Sequence, residues 1–317
     1  MNDATPSCTL TLGEDTSEAT PGFWPLPLVS SEHYTIHGVH ACGGLGRILR
    51  AVDRRTDRVV AIKELVRRDR VSELRFVREI EITAHLRHPA IVPLYDAGRW
   101  GDGTLFYAMK FIYGSSLKTL LDKVASLEER LALIHHVVAV AETMVFAHSK
   151  NVVHRDIKPS NVLVGSYGET VVIDWGLAKN LDEDPITVSN PLPPREVSVA
   201  GVILGTPAYM APEQARGTDV DERVDVHALG AMLYHLAAGV PPFPGSRAVA
   251  LAREPVPVQE REPRVPCALA AIIAKAMAVH PCDRHSSARA LADDLRALMS
   301  TPPARSSASR WSWSLAG

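Results

Sequence analysis

The side chains best suited to chemistry lie close together near the middle of the sequence. Residues 154–161 read His-Arg-Asp-Ile-Lys-Pro-Ser-Asn, and Asp174 begins an Asp-Trp-Gly triplet. Asp156 is a carboxylate that can orient or accept a proton, and Lys158 can offset charge on a phosphate. Asn161 and Asp174 offer the oxygen ligands that Mg²⁺ prefers. These groups and spacings suit phosphoryl transfer from a metal-bound nucleotide.

The order of these residues resembles the catalytic and metal-binding loops of protein kinases, in particular the bacterial eukaryotic-like (Hanks-type) serine/threonine protein kinases. One motif alone would be weak evidence. Here further motifs follow in the family order, and the resemblance covers residues 33–298. Bacterial members share the Gly-Gly-x-Gly, Ala-Pro-Glu-Gln and Pro-Pro-Phe sequences that occur along this chain.

The resemblance implies a role for each of these residues. Asp156 would orient the attacking hydroxyl, Lys158 would reach the γ-phosphate, and Thr206 would contact both and help to seat the substrate. Asn161 and Asp174 would hold the metal, with Asp174 bridging metal and phosphate. The implied catalytic residues are Asp156, Lys158, Asn161 and Thr206. The implied cofactors are ATP and Mg²⁺, with Mn²⁺ possible, and lysine at position 158 favours serine and threonine acceptors.

Glycines between two predicted strands form a candidate phosphate-binding loop. Glycine lets backbone N–H groups approach phosphate oxygens closely. Turn glycines are common, so the loop alone is weak evidence, and its distance from a following lysine strengthens the interpretation. The first glycine of the family pattern is Ala41 here, and a methyl group should be tolerable there. The resemblance implies nucleotide binding by His40, Ala41, Cys42, Gly43, Gly44, Leu45, Gly46, Arg47 and Ile48.

A lysine at the end of an apolar Val-Ala-Ile-Lys sequence predicts a buried ion pair. An unpaired buried ammonium group would be costly. The resemblance implies that Lys63 holds the α- and β-phosphates and pairs with Glu79. Met109 would lie at the back of the nucleotide pocket, and the backbone of Lys110 and Ile112 would bind adenine. The implied nucleotide site outside the glycine loop is Ala61, Lys63, Glu79, Met109, Lys110, Ile112 and Asp174.

The elements that must position these residues fall into two groups. Before residue 114 the sequence has short β-branched runs, and beyond it the apolar spacing is helical. The predicted strands are residues 34–40, 47–53, 58–65, 91–97 and 104–112, with one helix at 72–86. The predicted later helices are 131–148, 224–238, 267–277 and 288–298. The sequence therefore predicts an α+β fold, and the resemblance implies the bilobal protein kinase-like form.

The small lobe is expected to be mostly antiparallel β structure with one C helix, and the larger lobe mainly helical. The predicted organisation is a flexible leader at 1–32, a protein kinase domain at 33–299 and a disordered tail at 300–317. The N-lobe would cover 33–112 and the C-lobe 113–299.

Several charged or aromatic residues are expected to serve the architecture. The resemblance implies a buried ion pair between Glu213 and Arg284 and an anchoring role for Asp225 beneath the catalytic loop. His154 is more plausible as a packed structural histidine than as a catalytic group. Trp175 replaces the usual phenylalanine and should still pack beneath the helix that carries Glu79.

Composition excludes several other classes of protein. The formal net charge of -2 gives no reason to expect nucleic acid as a partner. The four cysteines show neither a Cys-x-x-Cys pair nor zinc-ligand spacing, so a reducing compartment is favoured. The N-terminus lacks the basic region of a signal peptide, and the apolar run at 137–147 is too short to span a bilayer. A cytoplasmic location is therefore expected.

Control by phosphorylation is also implied by the resemblance. Arg155 occupies the position that usually binds a phosphorylated activation-segment residue in the family. Ser198 stands where bacterial relatives carry a phosphothreonine, and Ala200 occupies the position of a second one. The hypothesis is autophosphorylation of Ser198, or otherwise Thr187 or Ser189, with a homodimer as the expected partner for phosphorylation in trans. The alternative is that this proline-rich loop is an unregulated spacer.

Two other functions compete with an active protein kinase. A pseudokinase would be a binding or scaffold module on the same fold, and only Ala41 and Trp175 support it. A small-molecule kinase would generally lack the segment from Thr206 to Glu213 that docks a peptide. ATP and proteins with serine or threonine acceptors are thus the expected partners.

Overall fold

A five-stranded antiparallel sheet forms the small lobe. The computed structural model describes residues 26–43, 46–181, 206–243 and 255–300. The strands are β1 (Tyr34–Cys42), β2 (Gly46–Asp53), β3 (Arg58–Leu65), β4 (Leu94–Arg99) and β5 (Leu105–Lys110). Their order in the sheet is β1-β2-β3-β5-β4. The predicted start of β4 at residue 91 was wrong, since the strand begins just after Pro93, which has no N–H for a ladder.

One helix, α1 (Arg70–His85), lies between β3 and β4 and packs on one face of this sheet. Asp69 begins it, because its carboxylate accepts the Ser72 N–H at 3.0 Å and satisfies one of the free donors of the first turn. Phe76 and Ile80 of the helix share an apolar cluster with Leu65, Tyr107 and other residues of the sheet. Burial of this face fixes the direction in which the polar residues of α1 point.

The large lobe is mainly helical, as the sequence predicts. Its described helices are α2 (Leu117–Lys123), α3 (Leu127–Ala132), α4 (Ile134–His148), α5 (Pro212–Arg216), α6 (Arg223–Ala238), α7 (Val258–Arg261), α8 (Cys267–Ala276) and α9 (Ala288–Ser300). They surround a core that includes Val137, Met144, Leu229 and Leu233. The single helix predicted from residue 131 is divided at Leu133, where α3 ends and α4 begins.

The stretch formed by α3 and α4, Leu127–His148, is long and apolar enough to cross a membrane by length and composition. In its most apolar window, 56% is buried inside the protein. In this fold it is therefore a core element of the large lobe.

Short strands frame the segments that carry the candidate catalytic residues. These strands are β6 (Gly114–Ser116), β7 (Val152–Val153), β8 (Val162–Gly165), β9 (Thr170–Val172) and β10 (Lys179–Asn180). Strands β6, β8 and β9 form one small sheet, and β7 pairs with β10. Residues 154–161 connect β7 to β8, and Asp174 follows β9. Both ends of each candidate segment are thus held by strand pairing.

The segment before β1 is attached to the sheet. The Val29 N–H donates to the Arg99 carbonyl at 2.9 Å, and the Arg99 N–H donates to the Pro27 carbonyl at 2.9 Å. These bonds run along the edge strand β4 and leave residues 26–30 packed on the small lobe. Residues 26–32 of the predicted leader at 1–32 are therefore attached to the small lobe. Residues 1–25, and residues 301–317 of the predicted tail at 300–317, lie outside the described residues.

Gly98 permits this close approach. A Cβ atom at position 98 would lie 2.5 Å from Val29 Cγ2 and 2.7 Å from the Pro27 carbonyl oxygen. We expect Gly98→Ala to lower the free energy of unfolding of the small lobe by about 1–3 kcal/mol, because the added methyl overpacks the contact. Denaturant unfolding measures this, with Gly101→Ala as the matched control, since a Cβ there meets nothing within 4 Å. Equal effects of both substitutions would contradict the close packing of residues 26–30.

Candidate functional site

Three charged side chains from different parts of the chain meet between the lobes. The Lys63 ammonium of β3 lies 2.5 Å from Glu79 Oε1 of α1 and 3.2 Å from Asp174 Oδ1. Glu79 is buried, whereas the Asp174 side chain is 44% exposed and faces the cleft. The structure thus brings together the ammonium and the two carboxylates that the sequence placed in one site.

Electrostatic coupling sets the protonation of this group. Burial favours neutral lysine, but the charges of Glu79 and Asp174 outweigh it and raise the pKa of Lys63 well above its ordinary value. Burial opposes ionisation of Asp174 too, yet Lys63 holds the pKa of that carboxyl below its ordinary value. For Glu79 burial prevails, and its pKa is raised. A cationic lysine beside an anionic Asp174 is the arrangement that a metal-bound phosphate chain would meet.

Asp156 lies at the centre of the catalytic loop and is oriented by several donors. Its Oδ2 accepts Lys158 Nζ at 2.6 Å, and its Oδ1 accepts the Thr206 N–H at 3.0 Å. Lys158 also donates to Thr206 Oγ1 at 2.7 Å. These bonds join the catalytic loop to the segment before α5. A hydroxyl entering this cleft would meet a fixed carboxylate and an adjacent ammonium group.

The donor set fits a hard divalent cation. Asn161 Nδ2 donates to the Asp156 carbonyl at 2.9 Å, which leaves Asn161 Oδ1 available as a ligand. The Asn161 carbonyl accepts the Ile173 N–H at 2.9 Å, so the loop is bonded directly to the residue before Asp174. An amide oxygen and a carboxylate on one side of a cleft suit Mg²⁺, which keeps several waters.

Two of the four described non-glycine residues with a positive φ angle lie in this site. Arg155 and Asp174 have φ angles of 64° and 67°, a left-handed conformation that costs non-glycine residues about 1–3 kcal/mol. Asp225 of α6 stabilises the strained backbone at Arg155, because its carboxylate accepts the His154 and Arg155 N–H groups, each at 2.9 Å. Asp225 is fully buried and also accepts from His148 Nε2 at 2.9 Å. The carboxylate anchors the catalytic loop from below.

The glycine loop is described on both sides of its tip. The Gly43 N–H donates to the Gly46 carbonyl at 2.8 Å, which closes the hairpin. A Cβ at Gly46 would lie 2.2 Å from the Glu64 carbonyl oxygen, so β2 and β3 need glycine there. Gly44 and Leu45 lie outside the described residues.

The other predicted loop residues occupy different surroundings. Ala41 and Cys42 are exposed at the end of β1, and the His40 ring lies 5.2 Å from the Phe111 ring. Arg47 pairs with Glu64 at 2.7 Å, and Ile48 lies opposite Lys63 in the strand register.

The predicted base-binding residues lie along β5 and just beyond it. Met109 is 9% exposed and lies opposite Ala61 of β3 in the register. Lys110 ends β5 with its N–H bonded to the Pro93 carbonyl at 3.1 Å, and Ile112 follows in the connection to the large lobe. This connection is where the structure places the residues predicted to contact adenine.

The residues predicted to serve the architecture are buried in the structure. Arg284 donates to both carboxylate oxygens of Glu213, at 2.6 and 2.7 Å. Trp175 is 1% exposed, and its ring centroid lies 4.6 Å from that of His154. The tryptophan belongs to the same apolar cluster as Ile82 of α1. Trp175 is thus buried against His154 of the catalytic loop, within the apolar cluster that also includes Ile82.

Sequence reasoning missed three residues that support the site. The Tyr107 hydroxyl donates to Glu79 Oε1 at 2.7 Å, Gln214 Nε2 donates to the Arg155 carbonyl at 2.6 Å, and His148 contacts Asp225. A phenol inside an apolar strand needs a polar partner when buried, which is the signal that could have identified Tyr107.

Comparison with known proteins agrees with this geometry. The model of the family described as protein kinase domain matches residues 39–298. Serine/threonine-protein kinase pkn3 of Myxococcus xanthus is 35% identical over 279 residues, covering 84% of this chain and 50% of that protein. Serine/threonine-protein kinase PknB of Mycolicibacterium smegmatis is 34% identical over 276 residues, covering 84% of this chain and 43% of that protein.

A solved structure shares the fold. The crystal structure of the Mycobacterium tuberculosis PknI kinase domain is similar with a TM-score of 0.64 and 28% identity, covering 84% of this chain and 96% of that one. The chain spans half or less of the length of the curated relatives described above. The likeness therefore concerns the part that those relatives share with residues 39–298.

Proposed function

The chain belongs to the protein kinase family, and from this membership we propose that it transfers the γ-phosphate of Mg-ATP to serine and threonine hydroxyls of proteins. The observation that carries the proposal is the convergence of Lys63, Asp156, Asn161 and Asp174 on one cleft. A scaffold protein would not need these groups to be kept together. The domain is assigned to residues 33–299, with residues 26–32 attached along β4.

In the proposed reaction each residue of the cleft has a separate task. Lys63 binds the α- and β-phosphates while Glu79 holds its ammonium group in place. Asn161 and Asp174 hold Mg²⁺, or Mn²⁺ in its place, which would offset the negative charge of the phosphates. Asp156 orients the acceptor hydroxyl and takes its proton, and Lys158 stabilises charge on the transferred group.

The acceptor and the nucleotide base occupy opposite ends of the cleft in this proposal. Thr206 seats the serine or threonine beside Asp156, and the connection after Met109 binds adenine through the backbone of Lys110 and Ile112. The ATP requirement favours a cytoplasmic site of action. The formal net charge of -2 gives no reason to expect nucleic acid as a partner.

Transfer of radiolabel from γ-labelled ATP tests the proposal. We expect the wild-type protein to label itself and a generic basic protein substrate in the presence of Mg²⁺ or Mn²⁺, on serine and threonine only. Asp156→Asn is the matched control, because it keeps the shape of the side chain and removes the proton acceptor. A wild-type protein that binds nucleotide but transfers no label with either metal would contradict the assignment and favour a scaffold.

Autophosphorylation is the second part of the proposal. Burial lowers the pKa of Arg155 to about 10, and the nearby Arg78 and Arg75 guanidinium groups act in the same direction, against the opposing charge of Asp225. A phosphate placed among these guanidinium groups would be strongly bound. The proposed acceptors Ser198, Thr187 and Ser189, and Ala200 beside them, lie outside the described residues. Trans-phosphorylation in a homodimer would deliver the phosphate.

Phosphopeptide mapping checks this second part. We expect phosphate on Ser198 of the active enzyme, and Ser198→Ala to lower kcat by about tenfold, because Arg155 then has no phosphate to bind. Thr187→Ala and Ser189→Ala serve as controls and should retain activity. An active enzyme with Ser198 unmodified would contradict the assignment of this residue.

A further inference from the structure

Tyr107 connects the small-lobe sheet to the helix that carries Glu79. It lies directly opposite Lys63 in the register of β3 and β5, so both side chains leave the same face of the sheet. Its hydroxyl donates to Glu79 Oε1 at 2.7 Å, the oxygen that also receives the Lys63 ammonium at 2.5 Å. Its ring packs against Phe76 of α1 with centroids 5.3 Å apart. Tyr107 therefore contacts α1 through its ring and through its hydroxyl.

The Lys63 ammonium group is bonded to more than one carboxylate. It is shared between Glu79 and Asp174, and it also lies 5.8 Å above the Tyr107 ring. A bound nucleotide would add phosphate oxygens that compete for the same three N–H donors. The Tyr107 hydroxyl supplies a donor to Glu79 that the phosphates do not compete for. Hydrogen bonds to a carboxylate are roughly twice as strong as those between neutral groups.

We propose that Tyr107 is a positioning residue that holds Glu79, and with it helix α1, in the nucleotide-competent arrangement before nucleotide binds. The phenol keeps Glu79 in place while Lys63 turns towards the phosphates. This role rests on the proposed function, because Lys63 must receive the phosphates of ATP. The hydrogen bond between Tyr107 and Glu79 is the observation on which the proposal depends.

The substitution Tyr107→Phe removes only the hydroxyl. A smaller fraction of molecules then has α1 in the competent arrangement, and apparent nucleotide affinity falls by the same fraction. We expect the Kd for Mg-ADP and the KM for ATP to rise about tenfold, the size expected for one hydrogen bond to a charged group. Saturating ATP restores the arrangement, so kcat should change by less than about twofold. Amide hydrogen exchange in α1 without nucleotide should become faster.

Two controls separate positioning from packing. Tyr95→Phe also removes a hydroxyl from the small-lobe sheet, and in the described part of the chain that hydroxyl has no hydrogen-bond partner; affinity and exchange should not change. In Glu79→Ala the acceptor is absent. Adding Tyr107→Phe to that variant should change the Kd for Mg-ADP by less than about twofold, because the two residues act as one unit.

A fall in kcat with an unchanged KM, or additive effects of Tyr107→Phe and Glu79→Ala, would overturn the proposal and leave Tyr107 a core residue. If Tyr107→Phe does not fold, 3-fluorotyrosine at position 107 keeps the shape and makes the phenol a stronger donor. Tighter Mg-ADP binding and slower exchange in α1 are then expected, and weaker or unchanged binding would overturn the proposal. Amide hydrogen exchange in α1 and Mg-ADP binding can both be measured without phosphoryl transfer. A protein that fails the radiolabel assay therefore still tests the role of Tyr107.

Discussion

The substitution Asp174→Asn is expected to lower kcat/KM for ATP by about three orders of magnitude, which corresponds to about 4 kcal/mol of transition-state stabilisation. Asparagine keeps the shape of the side chain and can still accept from Lys63, which lies 3.2 Å away. It removes the negative charge that balances the lysine and that we propose binds Mg²⁺. The Lys63–Glu79 ion pair at 2.5 Å is untouched, so the fold should persist.

Steady-state assays over a range of Mg²⁺ concentrations measure this effect. If the lost group is the proposed metal ligand, added Mg²⁺ should recover part of the activity, whereas added ATP alone should not. Asp57→Asn is the matched control. Asp57 lies in the exposed β2–β3 turn with a φ of 51°, a conformation that asparagine also adopts, and its substitution should leave activity unchanged. An Asp174→Asn enzyme with more than about a tenth of wild-type activity would exclude Asp174 as the metal ligand.

The sequence predicted the charged groups of the site because each had a motif in one continuous segment. Lys63, Asp156 and Asp174 were each recognisable from neighbours in the chain, and the structure brings them to one cleft. The α+β fold was also predicted from local patterns, because short β-branched runs precede apolar residues at helical spacing. The prediction of a bilobal kinase fold is confirmed by the similarity to the PknI kinase domain.

The contacts that sequence reasoning missed depend on tertiary geometry. Tyr107 supports Glu79 only because the β3–β5 register sets it opposite Lys63, and no local pattern fixes a register between strands that are far apart in the chain. Residues 26–30 were interpreted as leader because the first 30 residues are acidic and polar, with Pro21, Pro25 and Pro27 near their end. They bind β4 all the same, since Pro27 needs only its carbonyl and Val29 supplies the N–H.

Removal of Arg284 is the second large expected effect, and it concerns stability. The Arg284 side chain is fully buried, and its guanidinium donates to both oxygens of Glu213. It also donates to the carbonyls of Arg223, Ala278 and Val279. We expect Arg284→Met to lower the free energy of unfolding by about 3–5 kcal/mol, because a buried carboxylate is left without its partner. Urea unfolding followed by circular dichroism measures the change.

A lysine cannot replace this arginine, because one ammonium group lacks the planar fork that meets two carboxylate oxygens at once. Arg284→Lys should therefore also be strongly destabilising. The control Lys118→Met breaks the exposed Lys118–Asp122 pair and should hardly change the urea concentration at the midpoint of unfolding. Adding Glu213→Gln to Arg284→Met removes the stranded charge and should recover part of the loss. If Arg284→Met and Lys118→Met shifted the midpoint equally, the buried pair would not hold the segment after Thr206 against α6. The orientation of Asp156 by the Thr206 N–H would then need another source of rigidity.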